Sequence, residues 1–400
     1  MKSYTLKNGL KIVLHSKKSN SVVIEVSINV GSNYEEQEQR GISHVIEHML
    51  FEGTLNRTQN QIANEIEKLG GEINAATSHD RTYFYIKIPK KHFEIGLDVL
   101  ADMIKNPLFD EKIIEKEKKV VIDEINLVLD EPRFYRWVLF LKKLYKKHPI
   151  KNPIYGFKES VKAMTKADLI KFYEKYYIPN NIVVSVVGGV SSIANVKKAF
   201  GDLKRGRKVR IEKISEPRQR TAQKIVEKRK TMQSYVVIGY KTVERVKKES
   251  YVLDVIAAIL GRGQSGKLFN EIRTKRGLAY DVGVYHETSK NYGFFGVYVD
   301  TNKKNIMTVK KIVSDELEKL KNVSDRDLKE AKTFIEGKFV LNEEDNRKFA
   351  DFICFWENVG NVSYLNSYIK NINNVRKSDV SRVVKKYLGK NYVLAVIEQK

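Results

Sequence analysis

The sequence predicts an α+β protein built from two homologous mixed α/β domains. Three observations predict it. Apolar residues alternate along some segments and recur at helical spacing along others. A charged stretch at 203–222, LKRGRKVRIEKISEPRQRTA, contains Pro217 and has no apolar periodicity. The segments that close the two halves also match. TKADLIKFYEKYYIPNNIVVSVVG (165–188) and RKSDVSRVVKKYLGKNYVLAVIEQ (376–399) share an Asp, a Tyr eight residues on, and an Asn before a β run. Asp168, Tyr176 and Asn181 thus parallel Asp379, Tyr387 and Asn391, an internal duplication with a period too long for a solenoid. The expected organisation is a first domain over 1–205, a linker over 206–222 and a second domain over 223–400.

Taken in order, VVIEVSINV (22–30) places Val22, Ile24, Val26, Ile28 and Val30 on one face and reads as a half-buried strand. Thr82, Phe84, Ile86 and Ile88 repeat the pattern. Helical spacing predicts helices over 41–52, 58–69, 92–105, 110–130 and 166–176, separated by loops such as EEQEQRG, LGGE and KNPLFD. In the second half, YVLDVIAAIL (251–260) reads as helical.

Composition narrows the class. Four hundred residues with 42% hydrophobic and 10% aromatic content support sizeable cores. Only seven prolines and 23 glycines exclude collagen-like or low-complexity character. The longest apolar stretch, 251–260, is too short to span a bilayer and contains Asp254, so no membrane partner is expected. The opening MKSYTLKNGLKIVLH breaks its apolar residues with Lys7 and Lys11, unlike a signal peptide. A single cysteine, Cys354, lies in the apolar FICFW, where it reads as a buried thiol. Together these give a cytoplasmic reading. The net charge of +24 fits nucleic acid, an anionic surface, acidic substrates or plain solvation. Because LKRGRKVRIEK lacks interleaved aromatics, no nucleic-acid partner is expected. GRGQSGK (261–267) fits the start of a P-loop, but Leu268 stands where a Mg²⁺-binding hydroxyl is required.

Chemistry concentrates in RGISHVIEHMLFEGT. His44 and His48, four apart on a helical pattern, project from one face, with Glu47 beside them. Two such imidazoles can share one Zn²⁺ while the carboxylate reaches a metal-bound water, the inverted H-x-x-E-H order. The bland alternative is a helix whose histidines only pack or cap. A third ligand is needed, and EKIIEKEKKVVIDEINLV offers two acids, Glu117 and Glu124, on the apolar stripe of Ile113, Ile114, Val120, Val121, Ile125 and Val128. A carboxylate on a buried face needs a partner. Glu124, deeper in the apolar run, would complete a His2Glu set, and Glu117 would accept a hydrogen bond from a ligand imidazole. Alternatively both extend to the helix edge. His79, alone in a polar turn, is expected at the surface.

These residues resemble the inverzincin metallopeptidase family of pitrilysin, insulin-degrading enzyme and mitochondrial processing peptidase. The likeness covers LKNGLKIVLH, the His-x-x-Glu-His helix with MLFEGT, GGEINAATSHDRTYF, and EKEKKVVIDEI with Glu124 76 residues after His48. It continues in GKLFNEIRTKRGLAY of the second half. Lys118 and Asp123 depart slightly from the family's usual residues.

The resemblance implies a largely antiparallel sheet with helices packed on it in each domain. It implies one Zn²⁺ per chain on His44, His48 and Glu124, with Glu47 as general base on the zinc-bound water. Arg273 and Tyr280 would steady the oxyanion; the bland reading of these two is a surface Arg and a core Tyr. Asn74 and Ala75 would seat the substrate as an added β-strand. Val252, Val255 and Ile256 fall where the second copy would have its metal helix, so that copy is expected to bind no zinc. The function implied is a zinc endopeptidase hydrolysing unfolded or short peptides in an enclosed chamber. In four-domain relatives the zinc domain faces the Arg/Tyr domain, so a two-domain chain is expected to form a homodimer with Arg273 and Tyr280 acting in trans. The competing reading is a catalytically silent structural subunit, against which the joint presence of His44, Glu47, His48, Glu124, Arg273 and Tyr280 argues.

Overall fold

The computed structural model describes residues 1–207, 209 and 214–400; the linker expected at 206–222 lies partly outside the described residues. Eleven strands among them form two sheets. The first contains β1 (Lys2–Thr5), β2 (Lys11–Ser16), β3 (Ser21–Ile28), β4 (Glu72–Thr77), β5 (Thr82–Pro89) and β6 (Ile182–Gly188) in the order β1-β2-β6-β3-β5-β4. The second contains β7 (Gln223–Arg229), β8 (Ser234–Lys241), β9 (Ala279–Thr288), β10 (Gly293–Thr301) and β11 (Val393–Gln399) in the order β7-β11-β8-β10-β9. All pairings are antiparallel except β2 with β6 and β7 with β11. Setting β2-β6-β3-β5-β4 against β7-β11-β8-β10-β9 therefore reproduces both strand order and direction. The duplicated fold is legible in its caps too. Asp168 accepts the backbone N–H of Thr165 at 2.9 Å at the start of helix Lys166–Tyr176, and Asp379 accepts that of Arg376 at 3.0 Å at the start of helix Lys377–Tyr387. A carboxylate at the third helical position ties off an otherwise unpaired N–H, which is why the Asp recurs.

The predicted helices form at Ile42–Phe51, Gln59–Glu67, Phe93–Lys105, Glu111–Asp130 and Lys166–Tyr176. The units of the fold are not contiguous in sequence, however. One comprises Met1–Leu127, Asn152–Glu212 and Asn342–Leu365; the other comprises Val128–Lys151, Lys213–Leu341 and Asn366–Lys400. Each sheet takes a covering helix from the opposite half of the sequence, whereas the division 1–205 and 223–400 assigns each helix to its own half.

In the first unit, Val22, Ile24, Val26 and Ile28 of β3 face one way and are fully buried; opposite Ile24 and Val22 in the ladder stand Ile86 and Ile88. Helix Phe93–Lys105 lies close on that face, where a side chain on Gly96 would meet Ile86 Cγ2 at 3.1 Å. The other face carries Glu25, Ser27 and Ser185, polar residues that a half-buried strand would show to water. Here they are fully buried, because helix Asn346–Val359 covers them. Ser185 Oγ donates to the Ala350 carbonyl at 3.1 Å, Arg347 Nη1 reaches Glu25 at 3.0 Å, and Arg81 bridges Glu25 and Asp351. Cys354 is buried on the same helix. The strand is thus buried on both faces, and its polar residues are paired instead of solvated.

The second unit uses helix Pro132–Leu144 in the same way. Leu139, Phe140 and Leu144 pack with Val237, Phe294, Val393, Ala395 and Ile397. Gly239 permits the approach, since a Cβ there would lie 2.4 Å from Phe140. Asp300, fully buried on β10, is held by Arg133 at 3.2 Å and by Arg136. Part of the stretch read as linker is also anchored in this unit. Glu216 accepts the backbone N–H groups of Lys146, Lys147 and His148 at 2.9, 2.8 and 2.8 Å and Lys241 Nζ at 2.6 Å. Burial would raise its carboxyl pKa, but these donors prevail and hold it at about 2. A depressed pKa stabilises the fold above the ordinary value of 4.5, and this is lost as pH falls from there towards 2. Discounted for partial solvent screening, Glu216→Gln is expected to cost about 1–2 kcal/mol at pH 7. Urea titrations at pH 7 and pH 3 check it: the wild-type advantage must shrink at the lower pH.

No helix among the described residues is long and apolar enough to cross a membrane.

Candidate active site

The histidine helix starts at Gly41, whose φ of 97° lies in the left-handed region and whose Cβ, if present, would sit 2.5 Å from the Tyr155 carbonyl oxygen. Buried Glu35 accepts the N–H groups of Gly41 at 2.8 Å and Ser43 at 3.0 Å, placing a carboxylate at the positive end of the helix. This fixes the helix end and hence the direction of His44 and His48, about one and two turns on. The acidic helix Glu111–Asp130 is capped by Asp110, which accepts from Lys112 N and Ile113 N at 2.9 and 3.1 Å. Lys118 is buried there too, donating to the Met164 carbonyl at 2.9 Å.

The two helices bring His44, His48 and Glu124 together. One donor atom from each lies within 4.8 Å of the others, the one such grouping among the described residues. Nε2 of His44 and Nε2 of His48 are each 3.5 Å from the same oxygen, Oε2 of Glu124. An ion bound tetrahedrally at about 2.0–2.1 Å separates its ligands by about 3.3 Å, so two imidazoles and a carboxylate at these spacings fit zinc. Glu117, 6% exposed at its side chain, binds His48 Nδ1 at 3.1 Å and so turns Nε2 towards Glu124. Glu124 is the more open acid, 40% exposed at its side chain. Sequence reasoning had these depths reversed: the deeper acid supports an imidazole, and the more open one joins the donor group.

Electrostatics follow from the packing. Burial and the charge of His48 lower the His44 pKa to about 4. For His48, burial also works downward, but hydrogen bonds to Glu124 and Glu117 outweigh it and raise the pKa. Its hydrogen bond to His48 lowers that of Glu124. Glu47 is raised above the ordinary carboxylate range, because burial outweighs its hydrogen bonds to Thr77. A carboxylate moved towards neutrality suits proton transfer.

Asn74 and Ala75 lie on β4, the edge strand of the first sheet, and Asn74 Oδ1 accepts the Ala75 N–H at 2.8 Å. Arg273 and Tyr280 belong to the second unit. There the Arg273 guanidinium sits 5.0 Å from the ring centroids of both Phe269 and Tyr280, and Tyr280 is 63% exposed at the start of β9. Neighbouring Lys275 and Arg276 are bound by Glu271, while Arg273 makes no ion pair among the described residues.

His79 is not at the surface. It is buried, with Nδ1 2.9 Å from Ser32 Oγ. Thr77, which contacts Glu47, escaped sequence reasoning; its place in INAATSHD beside Asn74 and Ala75 was the available signal. In the second unit, helix Lys248–Gly261 buries Val252, Val255 and Ile256 and carries Asp254, held by Arg245 at 2.6 Å, His286 at 2.7 Å and Tyr368 at 3.1 Å. Asp254 is thus taken up by a network of side chains.

Residues 11–158 match the family described as insulinase (peptidase family M16), and residues 163–335 match the peptidase M16 inactive domain. The chain is also 32% identical over 404 residues, 99% of its length and 98% of the relative, to YmxG of Bacillus subtilis, named an uncharacterized zinc protease. The chain belongs to peptidase family M16. An uncharacterized zinc protease of Rickettsia felis is 32% identical over 345 residues, 85% of this chain and 83% of that one. Among solved structures, a protease from Helicobacter pylori superposes with a TM-score of 0.94 at 26% identity, covering 99% of both chains. A structure from Pseudomonas fluorescens described as a peptidase M16 inactive domain shares the fold, with a TM-score of 0.90 at 21% identity over 100% of this chain and 98% of that one. Within this M16 chain the donor grouping falls in the first matched region, residues 11–158.

Proposed function

We propose that the chain is a zinc-dependent endopeptidase acting on unfolded or short peptides, with one Zn²⁺ held by His44, His48 and Glu124. The observation that carries this reading is the convergence of three donor atoms within 4.8 Å beside a half-buried carboxylate of raised pKa. Zinc bound there would supply Lewis acidity, polarising the scissile carbonyl and easing ionisation of water. Glu47 takes the proton from the attacking water and passes it to the leaving amine. Glu117 keeps the His48 imidazole oriented. An extended peptide pairs along the free edge at Asn74 and Ala75, and folded proteins offer no such strand. Arg273 and Tyr280 present a cation and a phenol to the oxyanion from a second copy of the chain, in a homodimer that encloses the peptide.

The zinc-loaded chain is expected to cut an internally quenched extended peptide, to lose that activity on chelation and to regain it with added zinc. An unfolded protein should be cut much faster than its folded form. Equal rates on the two would sink the strand-addition reading, and stoichiometric zinc without any hydrolysis would mark the chain as a silent subunit.

A further inference from the structure

The free edge of β4 ends against the base. Sheet order leaves β4 outermost, with Ala75 opposite Phe84 and Thr77 opposite Thr82 on its one partner. Residues two apart on a strand turn their backbone groups to the same side. At Ala75 the N–H is taken by the adjacent Asn74 side chain, as expected of a group facing away from β5. At Thr77, the last residue of the strand, the hydroxyl donates to Glu47 Oε2, which holds that carboxylate at the end of the edge. A peptide pairing at Ala75 therefore replaces the Asn74 side-chain oxygen on that N–H. About 7 Å further on, at the next rung, it meets the carboxylate that the Thr77 hydroxyl holds.

Resting on the peptidase reading, we propose that Thr77 is a positioning residue: it closes the peptide-binding edge and fixes the Glu47 carboxylate at the rung after Ala75. The peptide bond presented to the base is then set by the register of the added strand. Without the hydroxyl, Glu47 loses this donor and swings about its side-chain torsions, while the pairing edge at Ala75 and the metal donors are untouched. The loss should fall on turnover and spare binding.

Thr77→Val and Thr77→Ser test this, Val being isosteric and at home in a strand, Ser retaining the hydroxyl. Thr77→Val is expected to lower kcat by about 10- to 100-fold, as for one lost hydrogen bond to a charged group. Its KM should stay within about threefold and its zinc content at the wild-type level, and Thr77→Ser should stay within about threefold of wild type throughout. If Thr77→Val fails to fold, Thr77→Ala takes its place. Unchanged kcat in Thr77→Val, equal impairment of Val and Ser, or a loss confined to KM would overturn the assignment of Thr77 while wild-type cleavage keeps the peptidase reading. A wild-type chain that binds zinc and cuts nothing would overturn both.

Discussion

Replacing Glu47 by Gln is expected to leave a folded, zinc-loaded chain whose peptide hydrolysis falls by about 10²- to 10⁴-fold, the range attributed to a positioned general base. The amide keeps the shape of the carboxylate and an oxygen that can accept from Thr77, so the end of β4 stays tied to the histidine helix. It has no basic oxygen with which to take a proton. The donors grouped for metal are His44, His48 and Glu124, and Glu47 is not among them. Zinc analysis, a thermal melt and single-turnover cleavage of a quenched peptide separate the possibilities. A metal-free, misfolded Glu47→Gln chain would show that the division between ligand and base is wrong. Full activity would remove Glu47 from the chemistry.

The second large effect concerns assembly. A His48→Ala chain lacks a donor of the metal group, and an Arg273→Ala/Tyr280→Phe chain lacks both groups proposed to steady the oxyanion, so each alone should be nearly inactive. If each site draws zinc from one chain and Arg273 and Tyr280 from its two-fold partner, a mixed dimer contains one site in which every part is intact. Equal mixing with random exchange should then restore roughly a quarter of wild-type activity. If the residues act within their own chain, every site in every dimer lacks something and nothing returns. Demonstrated subunit exchange without recovery would reject the shared site.

Much of the donor set was legible because helical spacing alone puts His44 and His48 on one face with Glu47 beside them. The acidic helix was partly legible. Seven residues are almost two turns, so Glu117 and Glu124 differ by only about 20° around the axis. Periodicity placed both on one stripe but could not rank their depth. What lies against each decides that: Glu117 is enclosed beside His48 Nδ1, and Glu124 remains open at the donor group. His79 was misread for the same reason, since a polar turn exposes a histidine only until Ser32 is folded against it.

The sequence by itself determined the strand and helix periodicities, the duplication, the inverted zincin helix and its partner acids. Each of these is set by spacing along the chain. Only the tertiary structure decided that β3 is buried on both faces, that Glu25 is paired inside the protein, and that Thr77 grips Glu47. It also decided that 342–365 completes the first unit and 128–151 the second. The physical reason is common to all four. A strand's polar face looks solvated until a helix far away in sequence covers it, and an amphipathic helix shows which face it buries but not against what. Arg347 lies more than 300 residues from Glu25 along the chain, yet with Arg81 it is what allows that carboxyl group to lie in a core.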